Sequence, residues 1–231
     1  MPIEGFGVFQ IPDAVQCEEV TYNAIKTGYR LLDTAAAYMN EEAVGRGIAR
    51  AVSDGITTRE ELFVTTKVWV SDQKTEETAY NAVKTSLKKL DLDYVDLILL
   101  HQPMSDYFAA YRGITKAYKE GIVKAIGVAN FYPAILANLC ENVEIIPAVN
   151  QVELHPFFQQ ENALALMKER LRSIISTILS HPPKTVWSRY FTNRNMPSLV
   201  IRSTTGCLLS LNWLQAGLLN PLLRFSKSNM R

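Results

Sequence analysis

Four ionisable side chains that could do chemistry together stand at the ends of three short apolar runs. Asp33, Lys67 and His101 each follow such a run, and Tyr38 lies in the segment after Asp33. Taken singly, each has a structural explanation: a turn cap, a solvated loop residue, a satisfied core histidine and a packing aromatic. Their repeated placement after successive runs is the reason to consider them as one set.

As a set, these residues have the properties needed to reduce a carbonyl group. A carbonyl carbon that accepts a hydride leaves an alkoxide, which needs a proton, and Tyr38 can supply one. A free tyrosine has a pKa of about 10 and is a poor acid near neutrality, but a neighbouring cation lowers that pKa. Lys67 would be that cation, Asp33 would keep it charged, and His101 would orient the carbonyl by a hydrogen bond.

Alternating strand and helix patterns are expected to position these side chains. Apolar runs rich in Val, Ile, Leu and Tyr predict strands, and helical spacing of apolar residues fills the intervals between them. The predicted strands are 5–10, 29–32, 62–65, 94–100, 124–128 and 148–152. The spacing from the second strand onward is 33, 33, 29 and 24 residues when it is read from Tyr29, Leu62, Val95, Lys124 and Ala148. This repeat is typical of βα units in a parallel sheet.

Two parallel architectures fit such a repeat, a doubly wound open sheet and a closed barrel. A doubly wound dinucleotide-binding domain normally carries Gly-x-Gly-x-x-Gly after its first strand. Gly5 and Gly7 do not supply that motif, and Gly45 and Gly47 lie inside a helical pattern. We therefore favour the (β/α)8 TIM barrel, in which active-site residues stand at the carboxyl ends of the strands.

Five ordered segments of the chain resemble the aldo-keto reductase family. They are 28–45 with Asp33 and Tyr38, 65–69 with Lys67, 94–103 with His101, and 121–131 and 147–156. The resemblance covers about residues 1–169 and is strongest to the bacterial diketogluconate and glyoxal reductases. It implies an NADPH-dependent oxidoreductase that reduces small aldehydes or ketones, with the four residues above as its catalytic set.

The same resemblance implies further contacts at the mouth of the barrel. Asn130 and Gln151 would hold the nicotinamide carboxamide of NADPH, while Trp69 and His101 would line the substrate pocket. The chain departs from the family pattern at Ala129, where a serine is frequent. It departs again at Gln102, where a tryptophan is frequent. These differences predict one cofactor contact fewer and an altered pocket wall.

Residues 170–231 do not resemble the family. All 23 acidic residues lie at or before Glu169, so 1–169, with 15 basic residues, carries −8 and 170–231 carries +9. We expect a partial barrel of about six recognisable βα units over 1–169, with two open sheet edges. An atypical basic segment follows. Translation out of frame is one hypothesis for that segment, and a native basic tail is the other.

The alternative function is therefore an inactive truncated or frame-shifted reductase fragment, or a non-catalytic binding relative. Composition points to a globular protein: no apolar run approaches the roughly 18 residues that span a membrane. The near-neutral net charge of +1 argues against nucleic acid as a partner. Three scattered cysteines form no metal pattern, so no metal is expected. We predict a cytoplasmic monomer that acts on a small carbonyl substrate and binds neither nucleic acid nor membrane.

Overall fold

The structure of this protein is a computed structural model. It describes residues 1–155 and 158–171, and the backbone of 173–178 and 198–203. No helix in these ranges is long and apolar enough to cross a membrane.

Eight parallel strands form a closed barrel in which each strand pairs with the next along the chain and the eighth pairs with the first. The strands are β1 (Glu4–Gly7), β2 (Leu31–Asp33), β3 (Phe63–Val68), β4 (Leu97–Leu100), β5 (Ile126–Ala129), β6 (Val149–Glu153), β7 (Ser173–Ile178) and β8 (Ser198–Ser203). All six predicted strands are confirmed, with shifts of a few residues at their ends. The predicted (β/α)8 class is therefore confirmed.

A helix follows each of the first six strands. The helices are α1 (Ala14–Lys26), α2 (Glu41–Ser53), α3 (Glu76–Leu90), α4 (Tyr107–Lys119), α5 (Pro133–Asn142) and α6 (Glu161–Arg170). The first five occupy the intervals between the predicted strands, as expected from the sequence. Gly28 lies just beyond α1 with a φ of 107°, a left-handed conformation that glycine adopts without strain.

The part of the chain that does not resemble the family contributes the backbone of two strands. β7 pairs with β6, and β8 pairs with both β7 and β1, so the expected open edges are not present. Both strands are rich in β-branched residues, which suit a pleated sheet whatever the surrounding motifs. The absence of family motifs and acidic residues after Glu169 led us to expect an incomplete barrel. These two strands form without either.

The core has two layers, one between the strands and the helices and one inside the barrel. The inner layer is small and consists of the buried residues Leu31, Leu97, Leu99, Ala129 and Val149. Side chains alternate between the two faces of a strand, so residues two positions apart on a continuing strand share a face. Asp33 follows Leu31, His101 follows Leu99 and Gln151 follows Val149, which places these three polar residues above the apolar floor.

Candidate active site

The predicted catalytic residues meet at the carboxyl end of the barrel. Asp33 is the last residue of β2, Lys67 lies one residue before the end of β3, and His101 directly follows β4. The backbone N–H of His101 donates to the carbonyl of Val68 at 3.1 Å, which continues the β3–β4 pairing. Tyr38 ends a short 3-10 helix, Ala36–Tyr38, in the loop between β2 and α2.

Lys67 is the centre of this group and is buried, with 1% of its side chain exposed. Its Nζ donates to Asp33 Oδ1 at 2.6 Å and to the carbonyl oxygen of Thr34 at 2.8 Å. The hydroxyl of Tyr38 lies 3.4 Å from the same nitrogen. An ammonium group has three donors, so these three contacts use all of them and fix the cation in one place.

Both oxygens of the Asp33 carboxylate have partners. Oδ1 accepts from Lys67, and Oδ2 accepts from Nε2 of Gln151 at 3.0 Å. Asp33 belongs to β2 and Gln151 to β6, so the second bond crosses the interior of the barrel. A buried carboxylate is costly unless it is paired and hydrogen-bonded, and this one is both.

Asn130 completes the rim beside Gln151. It follows β5 directly, and its N–H donates to the Gln151 carbonyl at 2.8 Å. Its side-chain Nδ2 donates to the carbonyl of His101 at 3.1 Å, so the amide is tied to the segment that carries the histidine. The φ of Asn130 is 61°, a left-handed conformation that asparagine tolerates better than most residues. The two predicted cofactor-binding amides are therefore neighbours.

Burial and the Asp33 carboxylate act in opposite directions on Lys67. Burial lowers the pKa of Lys67, but the attraction of Asp33 and the contact with Tyr38 outweigh it, and the net pKa is raised. The ammonium group therefore stays charged.

For Tyr38 the outcome differs from the sequence-based prediction. Burial raises the pKa of Tyr38, and the lowering effect of Lys67 only partly offsets it, so the net pKa is raised. Lys67 acts in the predicted direction, but the predicted net lowering is wrong because the sequence does not show how deeply the phenol is buried. The phenol is therefore protonated near neutrality and has a proton to give.

His101 is held as the neutral imidazole. Burial, aided by repulsion from Lys67, lowers the pKa of His101 from 6.5 to about 3. Its ring packs edge-on against Tyr38 at 5.7 Å and against Trp69 at 4.9 Å between centroids. Within the described part of the chain, the buried Nδ1 of His101 has no hydrogen-bond partner. A neutral imidazole can donate one hydrogen bond to a carbonyl oxygen without competing for the proton of Tyr38.

Two aromatic residues border the catalytic group on its open side. Trp69, with 36% of its surface exposed, was predicted to line the substrate pocket and lies beside His101. Phe9, in the loop after β1, packs on Tyr38 with 4.9 Å between ring centroids and was not singled out from the sequence. Its chemistry gave no signal, because an apolar residue in a loop has no distinguishing spacing.

No group of His, Cys, Asp or Glu among the described residues could hold a metal ion. The polar groups at the mouth of the barrel are instead a cation–carboxylate pair, a phenol, an imidazole and two amides.

Two curated bacterial reductases are similar to this chain in sequence. The chain is 48% identical over 162 residues to the glyoxal reductase of Bacillus subtilis, covering 70% of this chain and 57% of the relative. It is 44% identical over 166 residues to the methylglyoxal reductase DkgA of Escherichia coli, covering 69% and 56% respectively. The chain thus spans less than two thirds of the length of these curated relatives.

Solved structures show the same fold. A crystal structure of the Bombyx mori aldo-keto reductase in complex with NADP superposes with a TM-score of 0.81 at 29% identity, covering 99% of this chain and 86% of the other. An aldo-keto reductase from Brucella melitensis superposes with a TM-score of 0.78 at 36% identity, covering 88% and 82%. The aldo/keto reductase family model matches residues 6–181, well over half of the chain, and this protein therefore belongs to the aldo/keto reductase family.

Proposed function

We propose that this protein is an oxidoreductase that reduces small aldehydes or ketones to alcohols with NADPH. The observation that carries the proposal is the contact of one buried ammonium group, Lys67 Nζ, with both Asp33 and Tyr38 in front of a neutral His101. The names of the relatives, glyoxal reductase and methylglyoxal reductase, support the same class of reaction.

In this proposal Tyr38 is the general acid. When bound, NADPH supplies the hydride that attacks the carbonyl carbon of the substrate. Charge then develops on the carbonyl oxygen, and the Tyr38 hydroxyl gives its proton to that oxygen. Lys67, 3.4 Å from the phenol oxygen, stabilises the phenolate left behind, and so lowers the cost of the transfer. Asp33 holds Lys67 charged and in place.

His101 and Trp69 are proposed as the substrate-binding side chains. A neutral imidazole beside the phenol orients the carbonyl oxygen by donating a hydrogen bond to it. The indole of Trp69 packs edge-on against that imidazole and forms one wall of the pocket. Aromatic side chains around a small set of polar catalytic groups suit a small reactive carbonyl compound.

The side chains at the rim fit the nicotinamide end of NADPH. Its carboxamide has one carbonyl acceptor and two N–H donors. The side-chain amides of Asn130 and Gln151 have the same groups, so their donors can pair with its acceptor and their acceptors with its donors. These two residues are adjacent across β5 and β6, and we propose that they bind that carboxamide. No 2′-phosphate site is recognisable in the sequence, so the choice between NADPH and NADH rests on the family. We further propose a cytoplasmic monomer whose partners are the cofactor and the carbonyl substrate.

The experiment compares NADPH oxidation by the wild-type chain and by Tyr38→Phe with methylglyoxal as the substrate. Removal of the acid is expected to lower kcat by about 10²- to 10⁴-fold, the usual contribution of a general acid. Tyr118→Phe is the matched control, because Tyr118 is 39% exposed and lies near the end of α4, which runs back to the amino end of the barrel, and it should retain the wild-type rate. Equal turnover in Tyr38→Phe and wild type would refute the proposal.

A fluorescence titration with NADPH separates binding from chemistry. Saturable binding to wild type and to Tyr38→Phe is expected, since the phenol is not proposed to hold the cofactor. Absence of both binding and turnover in a folded chain would favour the alternative, a non-catalytic relative.

A further inference from the structure

The loop that carries Tyr38 has few backbone hydrogen bonds within itself. Between Thr34 and Asn40 its backbone makes one turn of 3-10 helix, in which the Tyr38 N–H donates to the Ala35 carbonyl at 2.9 Å. The turn ends at Met39, which has a left-handed φ of 57° and a largely exposed side chain. A single turn of this length does not hold one conformation by itself. The position of the phenol therefore depends on what fixes the two ends of the loop.

Asn40 fixes the far end of this loop with a fully used side chain. Its Oδ1 accepts from the hydroxyl of Thr34 at 2.9 Å, which closes the loop on its own first residue. Its Nδ2 donates to the carbonyls of Val8 at 3.0 Å and Ile11 at 3.3 Å in the loop after β1. Asn40 is buried, with 4% of its surface exposed.

Asparagine is a common N-cap residue, and Asn40 directly precedes α2. Asn40 occupies the N-cap position, but its side chain makes no bond to the first turn of the helix. Capping would use only the acceptor of the amide. The bonds to Thr34 and to the loop after β1 use the acceptor and both donors, so this position has a function beyond starting the helix.

The contacts of Asn40 join the two loops that enclose the phenol. The loop after β1 carries Phe9, between the two carbonyls that Asn40 binds, and the Phe9 ring packs on Tyr38. Thr34, the other partner of Asn40, also gives its carbonyl to Lys67 Nζ at 2.8 Å. One amide thus connects the residue that anchors the cation to the loop that packs on the acid.

We infer that Asn40 is a positioning residue that holds the Tyr38 hydroxyl within reach of Lys67 Nζ. The inference deepens the proposed function, on which it rests for the role of Tyr38 as the acid. An amide is required there because it alone combines one acceptor and two donors in this shape. A carboxylate of the same size would place an oxygen against two carbonyl oxygens.

The test uses Asn40→Asp and, as a milder variant, Thr34→Val, which removes only the hydroxyl bond to Asn40. Each protein is treated with tetranitromethane, and nitration at each tyrosine is measured by mass spectrometry. Release of the loop is expected to raise the rate at Tyr38 severalfold relative to the exposed Tyr132. The rate at Tyr111, which is 1% exposed on α4, should stay unchanged.

Asn150→Asp is the matched control, since Asn150 is a fully buried amide whose Nδ2 donates to the Phe131 carbonyl at 2.8 Å, away from Tyr38. This variant should leave nitration of Tyr38 as in wild type. If Tyr38 and Tyr111 rise together in Asn40→Asp and Thr34→Val, the effect is general loosening and the inference is wrong. Unchanged nitration of Tyr38 in both variants would overturn it as well.

Turnover gives a second readout with a distinct signature. In Asn40→Asp, kcat should fall about 10- to 100-fold with little change in KM, because a displaced acid slows the chemical step without weakening binding. A rise in KM of about 10- to 100-fold with an unchanged kcat would contradict the inference. A wild-type chain without turnover would refute the proposed function alone, since the nitration pattern needs neither cofactor nor substrate.

Discussion

Two cation–carboxylate pairs lie at opposite ends of the same barrel and make very different use of the same chemistry. At the carboxyl ends of the strands, Lys67 and Asp33 are 2.6 Å apart, with side chains 1% and 5% exposed. Just before the amino ends, Arg59 and Asp96 are 2.8 Å apart, with side chains 15% and 16% exposed. Both connect β3 to a neighbouring strand.

The pair at the amino ends binds only backbone and packing groups. The guanidinium of Arg59 also donates to the carbonyls of Leu62 and Tyr94 and packs over the Tyr94 ring at 4.0 Å. The carboxylate of Asp96 accepts the N–H of Val64 as well. These contacts tie the chain that enters β3 to the start of β4, and apart from the ion pair their hydrogen bonds go to backbone groups.

The pair at the carboxyl ends has a phenol as its third member. Lys67 reaches Tyr38, and Tyr38 faces His101, so this charge acts on a group that can release a proton. The comparison teaches that a buried ion pair is not itself a sign of function. Its location decides, because in barrels of this type the carboxyl end carries the chemistry and the amino end the stability.

The largest effect is expected from breaking the pair at the carboxyl ends. Lys67→Met removes the cation that stabilises the Tyr38 phenolate and leaves Asp33 buried with one partner. We expect turnover of methylglyoxal to fall about 10³-fold. The free energy of unfolding should fall by about 3 kcal/mol, since a buried charge loses its partner. The rate of NADPH oxidation measures turnover, and urea denaturation measures the free energy of unfolding. Turnover above a tenth of the wild-type rate would contradict the role of Lys67.

Arg59→Met breaks the pair at the amino ends and is the reciprocal variant. The free energy of unfolding is expected to fall by about 2 kcal/mol, because Asp96 loses its cation but keeps its partial exposure. The kcat of the folded protein should stay within about twofold of wild type, since no contact of Arg59 reaches the barrel mouth. A large loss of kcat in an Arg59→Met protein that remains folded would contradict the assignment of the Arg59–Asp96 pair to stability alone.

A smaller effect sharpens the comparison through pH. The pKa of His101 is lowered from 6.5 to about 3, so between these values the unfolded chain binds a proton that the folded chain does not. Stability from His101 is therefore complete above pH 6.5 and is lost as the pH falls toward 3. Urea denaturation at pH 7 and pH 4.5 should show a larger loss for wild type than for His101→Gln, and equal losses would contradict the neutral imidazole.

Much of the site could be predicted from the sequence because the rules that place it are local. Asp33, Lys67 and His101 each stand where an apolar run ends, and parallel strands bring such positions to one edge. The two-residue alternation of a strand then decides that these side chains face inward, as it does for Gln151 beyond Val149. The family resemblance added Asn130 and Trp69, and the structure brings both beside His101.

What could not be predicted depends on burial and on distant contacts. The net pKa of Tyr38 needs the depth of the phenol, which no spacing reveals. Two of the three bonds of Asn40 reach residues 29 and 32 positions away in the chain, and the asparagine itself has an obvious local explanation as a cap. The strands β7 and β8 lie in a part of the sequence that has no recognisable motifs.

The division of the chain at residue 169 stays a prediction, as does translation of 170–231 out of frame. Sequencing the coding DNA and reading its other frames is the measurement. A reductase-like amino-acid sequence in another reading frame would support out-of-frame translation, and its absence from all frames would refute it.

The hydrogen bond between Gln151 and Asp33 also has a consequence for the order in which the protein folds. It joins residues 118 positions apart, whereas Lys67 and Asp33 are separated by 34. Closing the longer loop costs more chain entropy, and contacts between distant residues form late. During synthesis the ammonium–carboxylate pair is available as soon as β3 has left the ribosome. The second oxygen of Asp33 must then rely on water until β6 has been made and docked.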